Sequence, residues 1–157
     1  MTERNHMATK KKSAKRPAAK PKRPPARRQP ETLRLRSIMP SFTSTDLQRS
    51  IAFYRDVLGF VIGEEWREKG VLMGCEVQAG AATFMLGQDD FAKGRDRQKG
   101  VGMRMYCRTA QDVDRLAAQI KARGGVLDQE PTLMSWGDRV FMISDPDGFK
   151  LTFVQAS

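Results

Sequence analysis

The clearest hydrophobic pattern in the chain lies between Thr45 and Phe60. Its apolar residues recur at the spacing of one helix face, at Leu47, Ile51, Tyr54 and Leu58. Thr45 and Gln48 together fit a capping box, and Gly59 suits the left-handed position that follows a helix end. The sequence therefore predicts an amphipathic helix here, followed by a β-branched strand that starts at Phe60.

A second segment repeats this pattern further along the chain. The residues 109–112 form another candidate N-cap, 64 positions after Thr45 (109 minus 45), and Gly124-Gly125 ends the helix. The apolar stripe of this second helix consists of Val113, Leu116, Ala117 and Ile120. One strand-like run precedes each helix and three follow it, so we predict an internal duplication of a βαβββ module.

The two predicted modules cover about residues 35–88 and 100–155, and a polar, glycine-containing linker joins them. The strand-like runs are 38–43, 60–67, 71–79, 81–88, 101–108, 126–135, 138–144 and 149–155. An antiparallel meander with one covering helix leaves its other sheet face without a partner. We therefore predict an α+β fold in which two tandem βαβββ modules form a curved mixed sheet that lines a cleft for a small molecule.

The basic character of the chain comes from its N-terminal segment. The whole sequence has 28 Lys and Arg against 18 Asp and Glu, for a net charge of +10. Residues 1–30 hold 11 of these bases and one acid, whereas residues 31–157 hold 17 of each sign. Residues 1–32 lack the apolar content needed for a core, so we predict a disordered polybasic tail before a domain at 33–157.

Two interpretations of this tail are open. A polybasic arm can bind nucleic acid or polyphosphate without sequence specificity, through residues 1–30, and it can equally be a solubilising extension. Five prolines in the tail argue against a helical presequence. The sequence contains no apolar run that would serve as a signal peptide or membrane span, so we expect no membrane association and a cytoplasmic location.

The cysteines offer little chemistry. Cys75 and Cys107 are the only two, and both lie within strand-like runs. Without a signal peptide or a neighbouring histidine, they are better explained as buried core thiols than as a disulfide or a nucleophile.

Two motifs point to a known family. The helix segment DLQRSIAFYRDVLGF (46–60) and the closing hairpin WGDRVFMISDPDGFKLTF (136–153), within a paired βαβββ layout, resemble the vicinal oxygen chelate superfamily. This superfamily includes glyoxalase I, bleomycin-resistance proteins, extradiol dioxygenases and fosfomycin-resistance enzymes. The resemblance covers about residues 33–155. It implies the fold, but the motifs are not catalytic signatures and do not identify a reaction.

The resemblance also implies four positions for metal ligands, usually His, Glu or Gln, on the first and last strand of each module. In this chain the four positions hold Met39, Met85, either Met103 or Met105, and Thr152. Thioethers and a hydroxyl do not suit the divalent ions that such sites bind, and the only histidine is His6, in the tail. We therefore expect no metal and no cofactor.

Apolar and aromatic side chains take the place of these ligands. The methionines at three of these positions could form an adaptable ligand-facing wall together with Thr152 at the fourth, or could simply fill the core. The family geometry also implies that Trp66, Trp136 and Arg139 lie near the mouth of the cleft. The tryptophans could stack on a planar ligand, and Arg139 could bind a carboxylate or phosphate. Alternatively, Trp136 packs a hairpin and Arg139 pairs with Asp138 or Asp145.

Three functions are compatible with these features. The first is a metal-free protein that binds an aromatic or amphipathic compound, like the bleomycin-resistance branch. The second is a metal-independent isomerase or lyase, for which Glu76 is the only mid-strand carboxylate that could serve as a base, although the pattern does not assign its strand face. The third is a dimeric scaffold with a nucleic-acid-binding arm. We expect a homodimer and no metal-dependent lyase or dioxygenase activity, whereas the sequence leaves open whether any reaction is catalysed.

Overall fold

The computed structural model describes residues 35–156 of the chain. The predictions for the basic tail concern residues that lie outside the described ones. The first module contains β1 (Ser41–Ser44), α1 (Leu47–Ala52), a π-helical turn (Phe53–Val57), β2 (Val61–Glu68), β3 (Val71–Ala79) and β4 (Ala82–Gln88). The second contains β5 (Arg104–Thr109), α2 (Val113–Ala122), β6 (Leu127–Leu133), β7 (Arg139–Ser144) and β8 (Lys150–Gln155).

Each module forms one four-stranded mixed sheet. The strand orders are β1-β4-β3-β2 and β5-β8-β7-β6, with a parallel pair at β1/β4 and at β5/β8 and antiparallel pairs elsewhere. Both modules therefore have the same topology, and the predicted βαβββ duplication is confirmed. The strands are hydrogen-bonded into two separate sheets and not into one continuous sheet.

The start of the first helix differs from the sequence prediction. Asp46, and not Thr45, is the N-cap, because its backbone is extended and its carboxylate accepts the amide N–H of Arg49 at 3.1 Å. Thr45 instead donates its amide N–H and its hydroxyl to Asp147 in the second module. Thr45 therefore makes a tertiary contact in place of the capping contact that the local motif predicted.

The predicted helix also changes type before its end. The α-helical hydrogen bonds stop at Ala52, and the chain continues in a π-helical turn in which the amide of Leu58 donates to the carbonyl of Phe53. The wider turn still buries the predicted stripe, since Tyr54 and Leu58 are both in the core. In α2 the N-cap is Asp112, which lies within the predicted cap segment.

One hydrophobic core includes residues from both modules. The face of each sheet that carries its helix contributes large side chains, among them Phe42, Tyr54 and Phe84 from the first module and Ile120, Phe141 and Phe153 from the second. Phe42 stacks on Phe149 at 4.3 Å between ring centroids, which joins the modules directly. The opposite face of each sheet is called its open face below.

The two family motifs meet in the structure. The buried hydroxyl of Tyr54 donates to the carboxylate of Asp145 at 2.9 Å, and both residues are shielded from solvent. Within residues 35–156, the side-chain hydrogen bonds between module 1 and module 2 all end on Asp145 or Asp147. The motifs therefore mark this fold because they form the polar connection between its two halves.

The linker between the two modules also contacts Asp147. Lys99 is buried, and its ammonium group lies 2.9 Å from the carboxylate of Asp89 and 3.7 Å from that of Asp147. Such a buried ion pair persists only where charges are paired and hydrogen-bonded, and Lys99 also donates to the hydroxyl of Thr45.

The cysteine prediction is confirmed. Cys75 is fully buried, Cys107 is partly buried, and both are free thiols. Burial raises the pKa of each thiol to about 11, so neither is an activated nucleophile. Across residues 35–156 there is also no helix whose length and apolar character would allow it to span a membrane.

Candidate functional site

Alternation along β4 separates core residues from the open face of the first sheet. Phe84 and Leu86 are buried in the core, so the intervening Met85 points to the open face, where it is half-buried. Glu76 of β3 lies directly opposite Met85 in the antiparallel register. Directly opposed residues share a face, and Glu76 therefore lies on the open face beside Met85.

Three strands place a glycine at the centre of this open face. Gly74 of β3 pairs with Gly87 of β4 and with Trp66 of β2. A Cβ atom at Gly63 of β2 would meet the side chains of Glu76 and Gln78 at 2.9–3.3 Å, which puts Gly63 on the same face. We call the surface over Gly63, Gly74 and Gly87 the glycine trough.

Trp66 lies across this trough. A Cβ atom added at Gly74 would be 3.1 Å from Cε3 of the indole and 2.7 Å from the carbonyl oxygen of Leu86. Only glycine therefore lets the indole approach the backbone of β3 this closely. Trp66 remains 38% exposed. The trough thus combines a partly exposed aromatic ring with the thioether of Met85, an arrangement that suits a flat apolar ligand.

Glu76 adds a carboxylate at the edge of the trough. Its Oε2 lies 3.3 Å from where a Cβ of Gly63 would be. No hydrogen bond or ion pair involves its side chain among the described residues. A half-buried carboxylate without a protein partner is available to bind a ligand or to accept a proton.

The open face of the second sheet has a different chemical character. Tyr106, Thr152 and Met142 are register partners on β5, β8 and β7, so they form one row on this face. Thr152 is 1% exposed, and its hydroxyl is a buried polar atom without a partner. Arg104 lies one row away, with its guanidinium 3.3 Å from the sulfur of Met142.

The remaining predicted site residues do not join one wall. Met39 is 40% exposed and lies two residues before β1, whose first residue, Ser41, is the register partner of Met85. Met103 is a partly exposed residue just before β5. Met105 packs against the core on the helix side of β5, opposite to Thr152, because strand alternation brings Arg104 and Tyr106 to the open face instead.

The structure accounts for Trp136 and Arg139 by local contacts. Trp136 is exposed in the β6–β7 turn, where its indole N–H donates to Asp138 at 3.2 Å. Arg139 forms a two-pronged ion pair with Asp114 of α2, on the helix side of the sheet. This contact holds the pKa of the Asp114 carboxyl below its usual range. Arg139 therefore pairs with neither Asp138 nor Asp145.

One cavity lies between the modules and apart from the trough. It is a groove of about 700 Å³ whose walls include Leu58, Phe60, Thr83, Met105, Leu116 and Phe153. Several of these side chains also belong to the core or pack against it. The groove is the second place in the described domain where a small apolar molecule could bind.

The donors at the four family positions do not fit a divalent metal. Met39, Met85 and Met103 offer thioether sulfur, and Thr152 a neutral hydroxyl, where such ions require imidazole or carboxylate. Between residues 35 and 156, the structure brings together no group of three or more His, Cys, Asp or Glu side chains that could hold an ion. Glu76 is the one carboxylate beside Met85, and a single carboxylate does not make such a site.

The fold and the donor set can now be compared with known proteins. Residues 35–153 match the family model of the Glyoxalase/Bleomycin resistance protein/Dioxygenase superfamily. The chain belongs to this superfamily. Among its relatives is the lactoylglutathione lyase of Haemophilus influenzae, which is 30% identical over 123 residues that cover 70% of this chain and 84% of the lyase.

Several solved structures share the fold of this domain. The antibiotic-binding protein TnmS3 from Streptomyces sp. CB03234 is 25% identical and has a TM-score of 0.58, with 77% of this chain and 97% of TnmS3 covered. TioX from Micromonospora sp. ML1 has a TM-score of 0.62 at 20% identity, with 76% and 98% covered, and this likeness shows the fold alone.

Sequence reasoning missed the most distinctive parts of the site. The three glycines were visible as single strand interruptions, which often mark close backbone approaches, but their alignment across β2, β3 and β4 depends on register. The position of Glu76 beside Met85 also depends on strand register. Tyr106 was not predicted, because Met103 or Met105 was assigned to the position on β5 that corresponds to Thr152 on β8.

Proposed function

We propose that this superfamily member is a metal-free small-molecule-binding protein that holds an aromatic or amphipathic compound in the glycine trough. The observation that carries this proposal is the partly exposed indole of Trp66, lying against the backbone at Gly74. A planar ligand would stack on the indole and contact the flexible Met85, while Gly87 leaves room for it, since a Cβ atom there would meet nothing closer than 4.0 Å.

The comparisons support binding as the general function. TnmS3 is an antibiotic-binding protein, and it shares the fold and a quarter of its aligned residues with this chain. The lyase relative supports the fold equally, but the thioethers at Met39 and Met85 do not provide the donors that a metal-dependent reaction would need. We therefore favour binding without metal over the lyase activity of that relative.

A binding experiment with acridine, a planar neutral compound at about pH 8, tests the proposal. Isothermal titration with the full chain should show saturable binding. Trp66→Leu should weaken it about tenfold, since loss of stacking and buried ring area is worth about 1.4 kcal/mol. Trp136→Leu is the matched control, because that indole is held in a turn by Asp138, and it should bind acridine like the unchanged protein.

The alternative outcome is that acridine binds in the groove between the modules. Leu116→Trp would fill part of its volume without touching the trough. If Leu116→Trp abolishes acridine binding and Trp66→Leu does not, the ligand site is the groove and the proposed role of the trough is wrong. Absence of acridine binding by the unchanged protein would also count against the proposal.

Metal independence is tested separately. We expect elemental analysis of the purified chain to find no stoichiometric Zn²⁺, Ni²⁺, Mn²⁺ or Fe²⁺. A chelator should leave the melting temperature unchanged, since an ion stabilises a protein only by binding its native state. About one ion per chain would contradict this part of the proposal.

A metal-independent isomerase or lyase is the second candidate, and one observation favours it. The carboxylate of Glu76, which has no hydrogen-bond or ion-pair partner among residues 35–156, lies beside Met85, where a base could reach a ligand in the trough.

We infer in addition a homodimer, because the open face of the second sheet exposes apolar side chains such as Tyr106 that a second copy could cover without closing the trough. Light scattering after size-exclusion chromatography measures this mass directly, and a monomer would contradict it.

A further inference from the structure

Among residues 35–156, no ion pair involves the carboxylate of Glu76. The strands β3 (VLMGCEVQA) and β4 (ATFMLGQ) contain no other charged residue. The nearest basic residue along β2, Arg67, is occupied by Glu65 at 2.7 Å and by the carbonyl of Gly70. The two central strands of the trough therefore supply one negative charge and no positive one.

The carboxylate and the indole are close enough to act on one ligand. Glu76 and Gly74 are two residues apart on the same face of β3, a spacing of about 7 Å, and Trp66 lies against Gly74. A cationic group between them would contact both the negative face of the indole and the carboxylate. Partial burial strengthens such contacts relative to bulk water, whereas an anionic ligand would be repelled.

We propose that the ligand of the glycine trough is an aromatic compound that carries a positive charge, with Trp66 stacking on its ring and Glu76 pairing with the charge. This inference rests on the proposed binding function and adds the chemical class of the ligand. It assigns to Glu76 the selection of charge, and to Trp66 and Met85 the selection of shape.

Three acridine- and anthracene-type probes of similar size test the charge preference on the full chain. N-methylacridinium is permanently cationic, acridine is neutral at about pH 8, and 9-anthracenecarboxylate is anionic. We expect the order of affinity to be cation, neutral compound, anion, with the cation about tenfold tighter than acridine. Added salt should weaken binding of the cation and leave acridine nearly unchanged.

Glu76→Gln removes the charge and keeps the shape. It should lower the affinity for N-methylacridinium about tenfold, leave acridine unchanged and raise the affinity for the anthracenecarboxylate. Opposite effects on cation and anion cannot come from damage to the fold. Asp96→Asn is the control, since it changes the net charge equally but lies at an exposed position of the linker, away from β2, β3 and β4.

The outcomes separate the two proposals. If acridine binds through Trp66 but Glu76→Gln leaves the cation-to-anion ratio unchanged, the charge assignment is wrong and the binding function stands. An equal response of Asp96→Asn would also overturn the assignment, because it would show a long-range effect of net charge. If none of the three probes binds, both proposals fail.

Discussion

At the scale of single residues, adjacent side chains in β4 have opposite environments. Phe84 is buried among Phe42, Tyr54 and Phe60, and Met85 faces the trough with Glu76 across from it. Because strand alternation separates them, they report independently on the core and on the ligand face.

Phe84→Gln and Met85→Gln should therefore differ strongly in their effect on stability. The first places an amide in the core and should cost about 3–5 kcal/mol, as do other large losses of buried aromatic side chains. The second leaves the amide partly solvated and should cost less than about 1 kcal/mol. Urea unfolding measures both, and a larger loss from Met85→Gln would show that the faces are reversed.

A second residue-scale feature is the buried pair of Tyr54 and Asp145. Burial raises the pKa of Asp145, although hydrogen bonds from the Phe149 amide, Tyr54 and the Asp147 amide oppose this shift. Burial and the neighbouring carboxylate also raise the pKa of Tyr54, which therefore stays protonated as a donor. With its raised pKa, Asp145 binds its proton more tightly in the folded protein, so it lowers stability as pH rises above the ordinary carboxyl range.

Tyr54→Phe should destabilise the protein in a pH-dependent manner. Loss of the hydrogen bond should cost about 2 kcal/mol at about pH 8 and raise the pKa of Asp145 further. The loss should be smaller at about pH 3, below the ordinary carboxyl pKa of 3.8, because the raised pKa of Asp145 leaves it protonated in the folded protein there. Urea unfolding at both pH values is the measurement. The exposed Tyr106→Phe is the control, and an equal loss from Tyr54→Phe at both pH values would contradict the assignment.

At the scale of elements, the helix ends show how local signals and tertiary contacts compete. Asp112 caps α2 in its extended backbone conformation, with its carboxylate accepting the amide N–H of Arg115 at 2.9 Å. In α1 the corresponding cap is Asp46, because the second module engages the preceding Thr45. The glycines of the trough show the same competition, since each weakens its own strand but creates space on the sheet.

Removal of the α2 cap provides a test at this scale. Asp112→Ala should lower the free energy of unfolding by about 1 kcal/mol, because one amide at the helix start loses its acceptor. Gln111→Ala, one residue earlier, should change it by less than about 0.5 kcal/mol. Thermal unfolding monitored by circular dichroism compares them, and equal effects would mean that Asp112 does not act as a cap.

At the scale of the whole molecule, the two modules are joined by a shared core and by one polar connection. Lys99 brings the linker onto this connection through its ion pairs with Asp89 and Asp147. Charge pairing with Lys99 and the amide of Phe91 hold the pKa of Asp89 below its usual range. The linker is therefore part of the packing between the halves.

Lys99→Met should consequently destabilise the domain far more than its small side-chain change suggests. Asp147 would lose its cation, and Asp89 would keep only the partly exposed Arg97, at 3.2 Å, so the melting temperature should fall by about 10 °C. Lys93→Met, an exposed position in the same linker, should have nearly no effect on the melting temperature. If Lys99→Met melts like the unchanged protein, the ion pairs do not join the halves.

The basic N-terminal segment leads to a prediction at the same scale. Deletion of residues 1–30 removes 11 bases and one acid, so a chain of net charge +10 becomes neutral. Affinity of the full chain for DNA should fall steeply with salt and disappear with the deletion, whereas the melting temperature should not change. DNA binding by residues 31–157 that is insensitive to salt would contradict this.

The sequence by itself determined the duplicated βαβββ layout, the positions of both helices, the core stripe and the loss of metal donors at Met39, Met85 and Thr152. These features follow from periodicity and from residue types at fixed spacing, which are local properties of the chain. The glycine trough, the pairing of Glu76 with Met85 and the bond between Tyr54 and Asp145 were decided only by the tertiary structure. Each depends on strand register or on contact between distant segments, and a shift of one residue would send the same side chains to the other face.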